Sequence, residues 1–159
     1  MSLPTRLPNR IPKFDYSAPG AYFITVCTKD RKCIFWEDVG ASIARPRLSD
    51  YGCVVEEAIC RISSHYPAVT VDHYTVMPNH IHLLLQIHTD ESGRAMLAPT
   101  ISRVIQQFKG VVTKRLGYSP WQKLFHDHVI RGEQDYLKIW NYIEGNPSRW
   151  KEDCFYEEP

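Results

Sequence analysis

The sequence predicts an α+β protein with a ferredoxin-like split βαβ sandwich, and two observations support this. Runs of β-branched and aromatic residues predict strands, while longer runs with apolar residues every three or four positions predict helices. These runs follow in the order strand, helix, strand, strand, helix, strand, helix. We therefore expect an antiparallel sheet with helices on one face and an active site on the open face.

Length and composition favour a single domain. A chain of 159 residues can bury a substantial core. Lys and Arg number 19 and Asp and Glu 18, so any basic patch that binds nucleic acid must be local. No run approaches the ~18 apolar residues of a membrane helix, which predicts a soluble, cytoplasmic protein without a membrane partner. The five cysteines form no C-x-x-C pair, which argues against a disulfide framework or a four-thiolate zinc site.

The first half of the chain supplies two predicted strands and one helix. Residues 1–19 carry four prolines and predict an extended N-terminal arm. The aromatic and β-branched residues 20–28 predict the first strand. Residues 50–65 have helical periodicity that Pro67 ends, and residues 68–77 predict the second strand.

A predicted hairpin carries the first candidate site. Pro78 and Asn79 supply the turn chemistry that leads into a strand over residues 80–88. Alternate side chains of a strand share a face, so His80 and His82 project together. Two neighbouring imidazoles can hold a divalent metal or polarise a phosphate. The pair is also compatible with an ordinary half-buried strand that carries histidines without binding a metal.

Residues 99–116 predict an amphipathic helix that stops at Gly117. Its outer face carries four cations and no acid. Contact with nucleic-acid phosphates and an ordinary solvated face both explain this pattern. The candidate DNA-binding residues on this face are Arg103, Gln107, Lys109, Lys114 and Arg115.

The C-terminal part predicts a strand over residues 121–131 and a last helix. This helix begins near Glu133 and ends at Asn146, because the residue before a proline leaves helical geometry. Lys138, Tyr142 and Asn146 follow at i, i+4 spacing and so share one helical face. An ordinary exposed polar face of the helix explains these three side chains as well as a catalytic role does.

Three motifs give this chain a family resemblance. Residues 77–84 (Met-Pro-Asn-His-Ile-His-Leu-Leu) and 141–147 (Asn-Tyr-Ile-Glu-Gly-Asn-Pro) resemble the single-tyrosine transposase family. Those enzymes have a His-hydrophobe-His metal motif on a strand and a nucleophilic tyrosine on a C-terminal helix. Residues 125–131 resemble the family's segment before that helix. The resemblance spans about residues 20–150 and leaves residues 151–159 as a tail. Within the family, the chain is similar to the REP-associated tyrosine transposases.

The resemblance implies the roles of individual residues. His80 and His82 would bind a Mg²⁺ or Mn²⁺ ion, and Tyr142 would be the nucleophile. Asn146 stands where the family often has a Gln that completes the metal site. A phenol with a pKa of about 10 is a poor nucleophile at neutral pH, so we expect Lys138, one helical turn away, to assist it.

The implied substrate is single-stranded DNA in hairpin or palindromic form, cleaved through a 5′-phosphotyrosine. On the fourth strand, His128 is the candidate active-site neighbour that contacts metal-bound water or phosphate. Residues 148–151 (Ser-Arg-Trp-Lys) depart from the REP-associated pattern, so the REP substrate stays open, as do a monomer and a homodimer. The alternatives are a domesticated protein that binds hairpin DNA without cleaving it, and a small zinc-bound structural domain.

Overall fold

The computed structural model describes residues 19–37, 47–88 and 100–157. The predicted arm, apart from its last residue, lies outside these ranges. Short 3₁₀ turns cover Lys29–Arg31 and Pro147–Glu152. The strands and helices are β1 (Gly20–Cys27), α1 (Asp50–Cys60), α2 (Ile62–His65), β2 (Val69–Val76), β3 (His80–Ile87), α3 (Ile101–Leu116), β4 (His126–Val129) and α4 (Glu133–Gly145).

The four strands form one antiparallel sheet in the order β2-β3-β1-β4. This arrangement confirms the predicted α+β class with an antiparallel sheet. The hairpin register places Thr75 opposite His82 and His73 opposite Leu84. The two strands in the middle of the sheet, β1 and β3, therefore carry the histidine motif and its cross-strand neighbours.

One face of the sheet packs against α1 and α3 and forms the main core. Alternate residues of β1 and β3 point to this side, because successive strand side chains alternate between faces. α3 contributes an apolar stripe, and burial of this surface is the main source of stability. The buried strand residues on this face are Tyr22, Ile24, Val26, Ile81, Leu83, Leu85 and Ile87.

The helices of this face have defined ends. The Ser49 side chain accepts a hydrogen bond from the Gly52 amide and caps α1. Gly117 ends α3 in the left-handed conformation at φ 82°, as its stop position predicts. The helix predicted over residues 50–65 is interrupted at Arg61, so α1 and α2 are separate.

The other face of the sheet carries α4. Ile139 and Ile143 of this helix pack on Leu84 in a small separate cluster. α1 and α3 lie on one face as predicted, whereas α4 lies on the other, because its apolar side chains meet Leu84 there. α4 thus covers part of the face that bears His80 and His82. Among the described residues, no helix is long and apolar enough to cross a membrane.

Candidate metal centre and nucleophile

His80 and His82 lie side by side on β3. Their Nε2 atoms are 3.1 Å apart, and their side chains are 0% and 1% exposed. The ring of Phe155 covers His80 at a centroid distance of 4.7 Å. The two imidazoles are therefore enclosed.

The outer nitrogens of both rings have oxygen partners. Nδ1 of His82 lies 2.9 Å from Oγ1 of Thr25, and Nδ1 of His80 lies 2.8 Å from Oδ1 of Asn79. When Nδ1–H donates to these oxygens, the lone pair of each Nε2 points into the shared space. This arrangement is the usual support of a metal-binding histidine, since the outer hydrogen bond fixes the tautomer and the ring orientation.

Burial keeps both imidazoles neutral. It lowers the pKa of His80 to about 2, with the neighbouring charges of His82 and Arg31 acting in the same direction. Burial also lowers the pKa of His82 to about 3. Neutral imidazole is the form that binds metal, so both side chains can act as ligands across the physiological pH range.

A third ligating group, Asp153, lies beside the histidines. Its Oδ2 atom is 3.7 Å from Nε2 of His80, and its side chain is 1% exposed. Ligating atoms of His80, His82 and Asp153 all lie within 4.8 Å of one another. Burial raises the pKa of Asp153, while hydrogen bonds from the Phe155 amide and the Asn146 side chain oppose this rise. A nearby cation would stabilise the ionised carboxylate.

Sequence reasoning missed Asp153. The residue belongs to the segment that was predicted as a tail, seven residues after the predicted ligand Asn146. The signal available in the sequence is an acid between two aromatic residues, Trp150 and Phe155, that can anchor the segment.

Asn146 lies next to this group at the end of α4. It is 4% exposed, and its side-chain amide lowers the pKa of both Asp153 and Tyr142, against the rise that burial causes in each. Its Oδ1 atom and Oδ2 of Asp153 have no hydrogen-bond partner among the described residues. Buried oxygens are seldom left unpaired, and a bound cation would satisfy both.

The residues present fit a divalent metal. Ligand atoms about 2.1 Å from an ion and 90° apart are about 3 Å from each other, close to the 3.1 Å between the two Nε2 atoms. Two imidazoles with one or two oxygens suit Mn²⁺ better than Mg²⁺, which prefers oxygen ligands.

Tyr142 borders the same site from α4. Its ring centroid is 5.3 Å from that of His82 and 6.1 Å from that of Phe23, and the residue is 43% exposed. It lines a cavity of about 350 Å³ together with Asn146 and Asp153. Partial burial and the charge of Asp153 raise the pKa of Tyr142, so the phenol is protonated at neutral pH.

Two other predicted site residues are Lys138 on α4 and His128 on β4. Lys138 is exposed, and its charge adds a little to the lowering of the Asp135 pKa, which is caused mainly by the hydrogen bond from His128. His128 pairs with the same Asp135, with 2.8 Å between Nε2 and Oδ2. His126, rather than His128, occupies the row of the metal pair, because Thr25 of β1 lies between His126 and His82.

The predicted DNA-binding face belongs to α3, across the sheet from Tyr142. Nζ of Lys109 donates to the carbonyl of Gln122 at 2.9 Å, and burial lowers its pKa. Nη1 of Arg115 lies 2.6 Å from Oε2 of Glu57. The acid that appeared to be missing from this face is therefore supplied by α1. Arg103 and Lys114 are exposed, and Gln107 lines a crevice between α3 and the preceding helices.

Comparison with known sequences gives two relatives. No family model matches the chain. An uncharacterized protein of Haemophilus influenzae is 30% identical over 166 residues, which cover 92% of this chain and 91% of that protein. A second Haemophilus influenzae protein, provisionally named a REP-associated tyrosine transposase, is 27% identical over 141 residues, covering 84% of this chain and 73% of that protein.

Solved structures share the fold. A REP-associated tyrosine transposase bound to a REP hairpin aligns with a TM-score of 0.59 at 21% identity, covering 94% of this chain and 74% of that chain. A crystal structure of a provisionally assigned transposase from Deinococcus radiodurans aligns with a TM-score of 0.51 at 16% identity, covering 86% and 97%.

The four-stranded antiparallel sheet with its helices is the fold that this chain shares with both of these solved structures. The predicted resemblance to the REP-associated tyrosine transposases is confirmed, since the named relative and a structural neighbour are both assigned to that group.

Proposed function

We propose that this protein is a metal-dependent DNA strand transferase that cleaves single-stranded hairpin DNA, with Tyr142 as the nucleophile. One observation supports this above all others. The Tyr142 ring lies 5.3 Å from the ring of His82, whose Nε2 atom faces that of His80. A nucleophile and a candidate metal centre therefore share one side of the sheet, as the chemistry requires.

The metal would be held by His80, His82 and Asp153, with Asn146 as a further oxygen donor. A bound Mn²⁺ or Mg²⁺ would supply Lewis-acid stabilisation of the scissile phosphate and of the departing 3′-oxygen. This set extends the ligands that the sequence predicts by one carboxylate. The pairing of a carboxylate with two neutral imidazoles leaves one formal negative charge to balance a divalent ion.

The chain's own groups would perform the covalent step. Oη of Tyr142 loses its proton and attacks the phosphorus, the bond from phosphorus to the 3′-oxygen breaks, and that oxygen leaves as a free 3′-hydroxyl after taking up a proton. The Asn146 side chain, which lowers the pKa of Tyr142, stabilises the phenolate. Attack by another 3′-hydroxyl on the phosphotyrosine reverses these bond changes, so rejoining needs no ATP.

Lys138 and His128 have auxiliary roles in this proposal. Lys138 precedes Tyr142 by one helical turn, from where a cation favours the phenolate at longer range. His128 forms a pair with Asp135 at the other end of α4, two strand positions beyond the row of the metal pair. Its place favours contact with a phosphate next to the scissile one.

Similarity to the REP-associated tyrosine transposases supports the proposed substrate class. The structural neighbour is a REP-associated tyrosine transposase bound to a REP hairpin, so a folded single strand is the substrate that we propose here. A hairpin presents its unpaired flank as a flexible strand. Such a strand can enter a site that lies between a helix and a sheet face more readily than a duplex can.

The test is formation of a covalent protein–DNA adduct. Wild-type protein incubated with labelled hairpin DNA and Mn²⁺ should give a band that survives denaturing electrophoresis, and Tyr142→Phe should give none. Tyr118→Phe is the matched control, since Tyr118 is 46% exposed and Tyr142 is 43% exposed. An adduct of equal yield with Tyr142→Phe would remove Tyr142 as the nucleophile. Tight hairpin binding without any adduct from the wild type would favour a protein that binds DNA without cleaving it.

A further inference from the structure

An open groove of about 890 Å³ lies at one end of the sheet, just beyond the C-terminal end of β1. One wall is the 3₁₀ turn that contains Lys29 and Arg31, and the other is the segment from Ser119 to Lys123. Trp121 forms the floor and is 5% exposed. The groove is separate from the smaller cavity that Tyr142 lines.

The groove concentrates positive charge in a protein that is nearly neutral. The chain has a formal net charge of +1. Three of the residues that line the groove, Lys29, Arg31 and Lys123, are cations, and Asp30 is the acid among them. All three cations are exposed, and the ion pair of Arg31 with Glu157 is a half-exposed one at 3.7 Å. Such a pair is weak and can exchange for a phosphate.

The walls of the groove are fixed by backbone hydrogen bonds. The Lys29 amide donates to the Pro120 carbonyl at 2.8 Å, and the Gln122 amide donates to the Cys27 carbonyl at 2.9 Å. Nζ of Lys109 reaches the same segment from α3 and donates to the Gln122 carbonyl at 2.9 Å. The segment that carries Lys123 is therefore held in place before any ligand binds, which lowers the entropic cost of binding.

The turn that presents Lys29 and Arg31 has an unusual backbone. Asp30 and Arg31 have φ values of 57° and 54°, a left-handed conformation that non-glycine residues seldom adopt. Backbone strain of this kind persists where the surroundings impose it, and it occurs often at binding sites. Here the conformation places the Arg31 carbonyl next to the Asn79 amide group, at 3.4 Å. Arg31 is thereby tied to the residue that supports His80.

The groove begins close to the candidate metal centre. Cys27 of β1 pairs with His80 of β3, and Lys29 follows Cys27 by two residues. The guanidinium of Arg31 lies 5.8 Å from the Phe155 ring centroid, and that ring lies 4.7 Å from the His80 ring. A strand held at the metal centre would therefore need only a short length of backbone to reach the groove.

We propose that this groove, and not the outer face of α3, holds the phosphodiester backbone of the single-stranded DNA next to the scissile phosphate. Lys29, Arg31 and Lys123 would each neutralise a phosphate. The inference rests on the proposed function, because it takes the substrate to be single-stranded DNA. With Trp121 buried in the floor and packed on Phe35 and Phe108, recognition in the groove would depend on charge and not on base stacking.

The test compares DNA binding by variants of the two rival surfaces under conditions that prevent cleavage. A fluorescent hairpin with a single-stranded flank is titrated with protein in EDTA at several salt concentrations. Lys29→Ala/Lys123→Ala should weaken binding about 10- to 100-fold at low salt. The slope of log K against log salt should fall in magnitude by about 1.4, since each single-strand phosphate contact contributes about 0.7. Lys29→Arg/Lys123→Arg, which keeps both charges, should bind like the wild type.

Arg103→Ala/Lys114→Ala removes two exposed cations from α3 and represents the rival surface. Arg61→Ala, which removes one exposed cation at the end of α1, measures the effect of losing a single positive charge, half of the change in each double variant. Circular dichroism of each variant checks folding, and all substituted side chains are exposed. Wild-type affinity and slope in Lys29→Ala/Lys123→Ala, or a larger loss in the α3 variant, would overturn the groove while leaving the proposed function intact. A wild type with no salt-dependent affinity for the hairpin would count against the proposed function itself.

Discussion

The two faces of the sheet have different chemistry although the same strands form both. The face under α1 and α3 buries aliphatic and aromatic side chains of β1 and β3 in one continuous cluster. The face under α4 has an apolar cluster around Leu84 at one end and the pair of His80 and His82 at the other. His80, His82 and Leu84 of β3 therefore lie on the same face and are equally buried.

This difference shows that the α4 face contributes less to the stability of the fold than the α1 and α3 face does. On the α1 and α3 face, burial of each side chain lowers the free energy of the folded state. On the α4 face, burial removes polar groups from water and lowers the pKa of two imidazoles. In the part of the chain that the structure describes, it also leaves one oxygen each of Asn146 and Asp153 without a hydrogen-bond partner. Unpaired buried polar groups cost free energy, so a protein keeps them where function requires them. Four predictions test this contrast.

Acid should destabilise the metal-free protein through the α4 face. The folded pKa values of His80 and His82, about 2 and about 3, lie below the ordinary 6.5, so the unfolded chain binds protons first. The part of the free energy of unfolding that depends on both histidines being neutral is fully present above pH 6.5. It is lost as the pH falls towards 3. Between pH 7 and pH 5, two such groups should lower the free energy of unfolding by about 4 kcal/mol. The raised pKa of Asp153 partly offsets this loss.

Urea denaturation in EDTA at a series of pH values measures this effect. His82→Asn should lose about half of the acid dependence, whatever it does to stability at pH 7. An unchanged pH slope in that variant would mean that the acid response arises elsewhere.

Truncation on the α1 and α3 face should be costly in any solution. Leu83→Ala removes a side chain that is 0% exposed and should lower the free energy of unfolding by about 3 kcal/mol, with or without metal. Leu124→Ala, at a position that is 63% exposed, should change it by less than about 0.5 kcal/mol. Equal costs for the two variants in urea titrations would contradict the assignment of the core to this face.

Metal should stabilise the protein only through the α4 face. An ion at about 100 times its dissociation constant adds about 2.7 kcal/mol to the free energy of unfolding. Thermal melts with and without Mn²⁺ should show this increment in the wild type and a clearly smaller one in Asp153→Asn. Glu152→Gln, an exposed neighbour, is the matched control. If Asp153→Asn responds to Mn²⁺ as the wild type does, Asp153 is not a ligand.

The proposed nucleophile, Tyr142, should contribute least to stability. Tyr142→Phe removes a hydroxyl from a residue that is 43% exposed, so the free energy of unfolding should change by less than about 0.5 kcal/mol. Calorimetry or urea titration at neutral pH measures this change. A loss of more than about 1.5 kcal/mol would show that the phenol supports the fold. An inactive Tyr142→Phe variant would then have a structural explanation.

The elements that the sequence predicts well are those with local signals. The Pro78 and Asn79 turn and the strand alternation fix the hairpin register, including Thr75 opposite His82. The i, i+4 spacing places Tyr142 and Asn146 on one face of α4, and that face borders the histidines. In both cases the controlling interactions join residues that are near in sequence.

The parts that sequence reasoning did not predict depend on contacts between distant segments. Asp153 reaches His80 because its segment docks on the sheet, where the Asn79 amide group donates to the Phe155 carbonyl at 2.7 Å. Arg115 has an acid partner that α1 supplies, and no periodicity within α3 could reveal it. The position of α4 on the second face likewise depends on Leu84 of β3.

The docking of the C-terminal segment also bears on the order of folding. The hydrogen bond between Asn79 and Phe155 joins residues 76 positions apart, whereas the hairpin of β2 and β3 is closed by neighbouring residues. Closing a long loop costs more chain entropy than closing a short one, so distant contacts tend to form later. We therefore expect an early folding species to have the paired strands and the exposed histidines before Asp153 arrives. Competence to hold an ion would then be one of the last properties that the folding chain acquires.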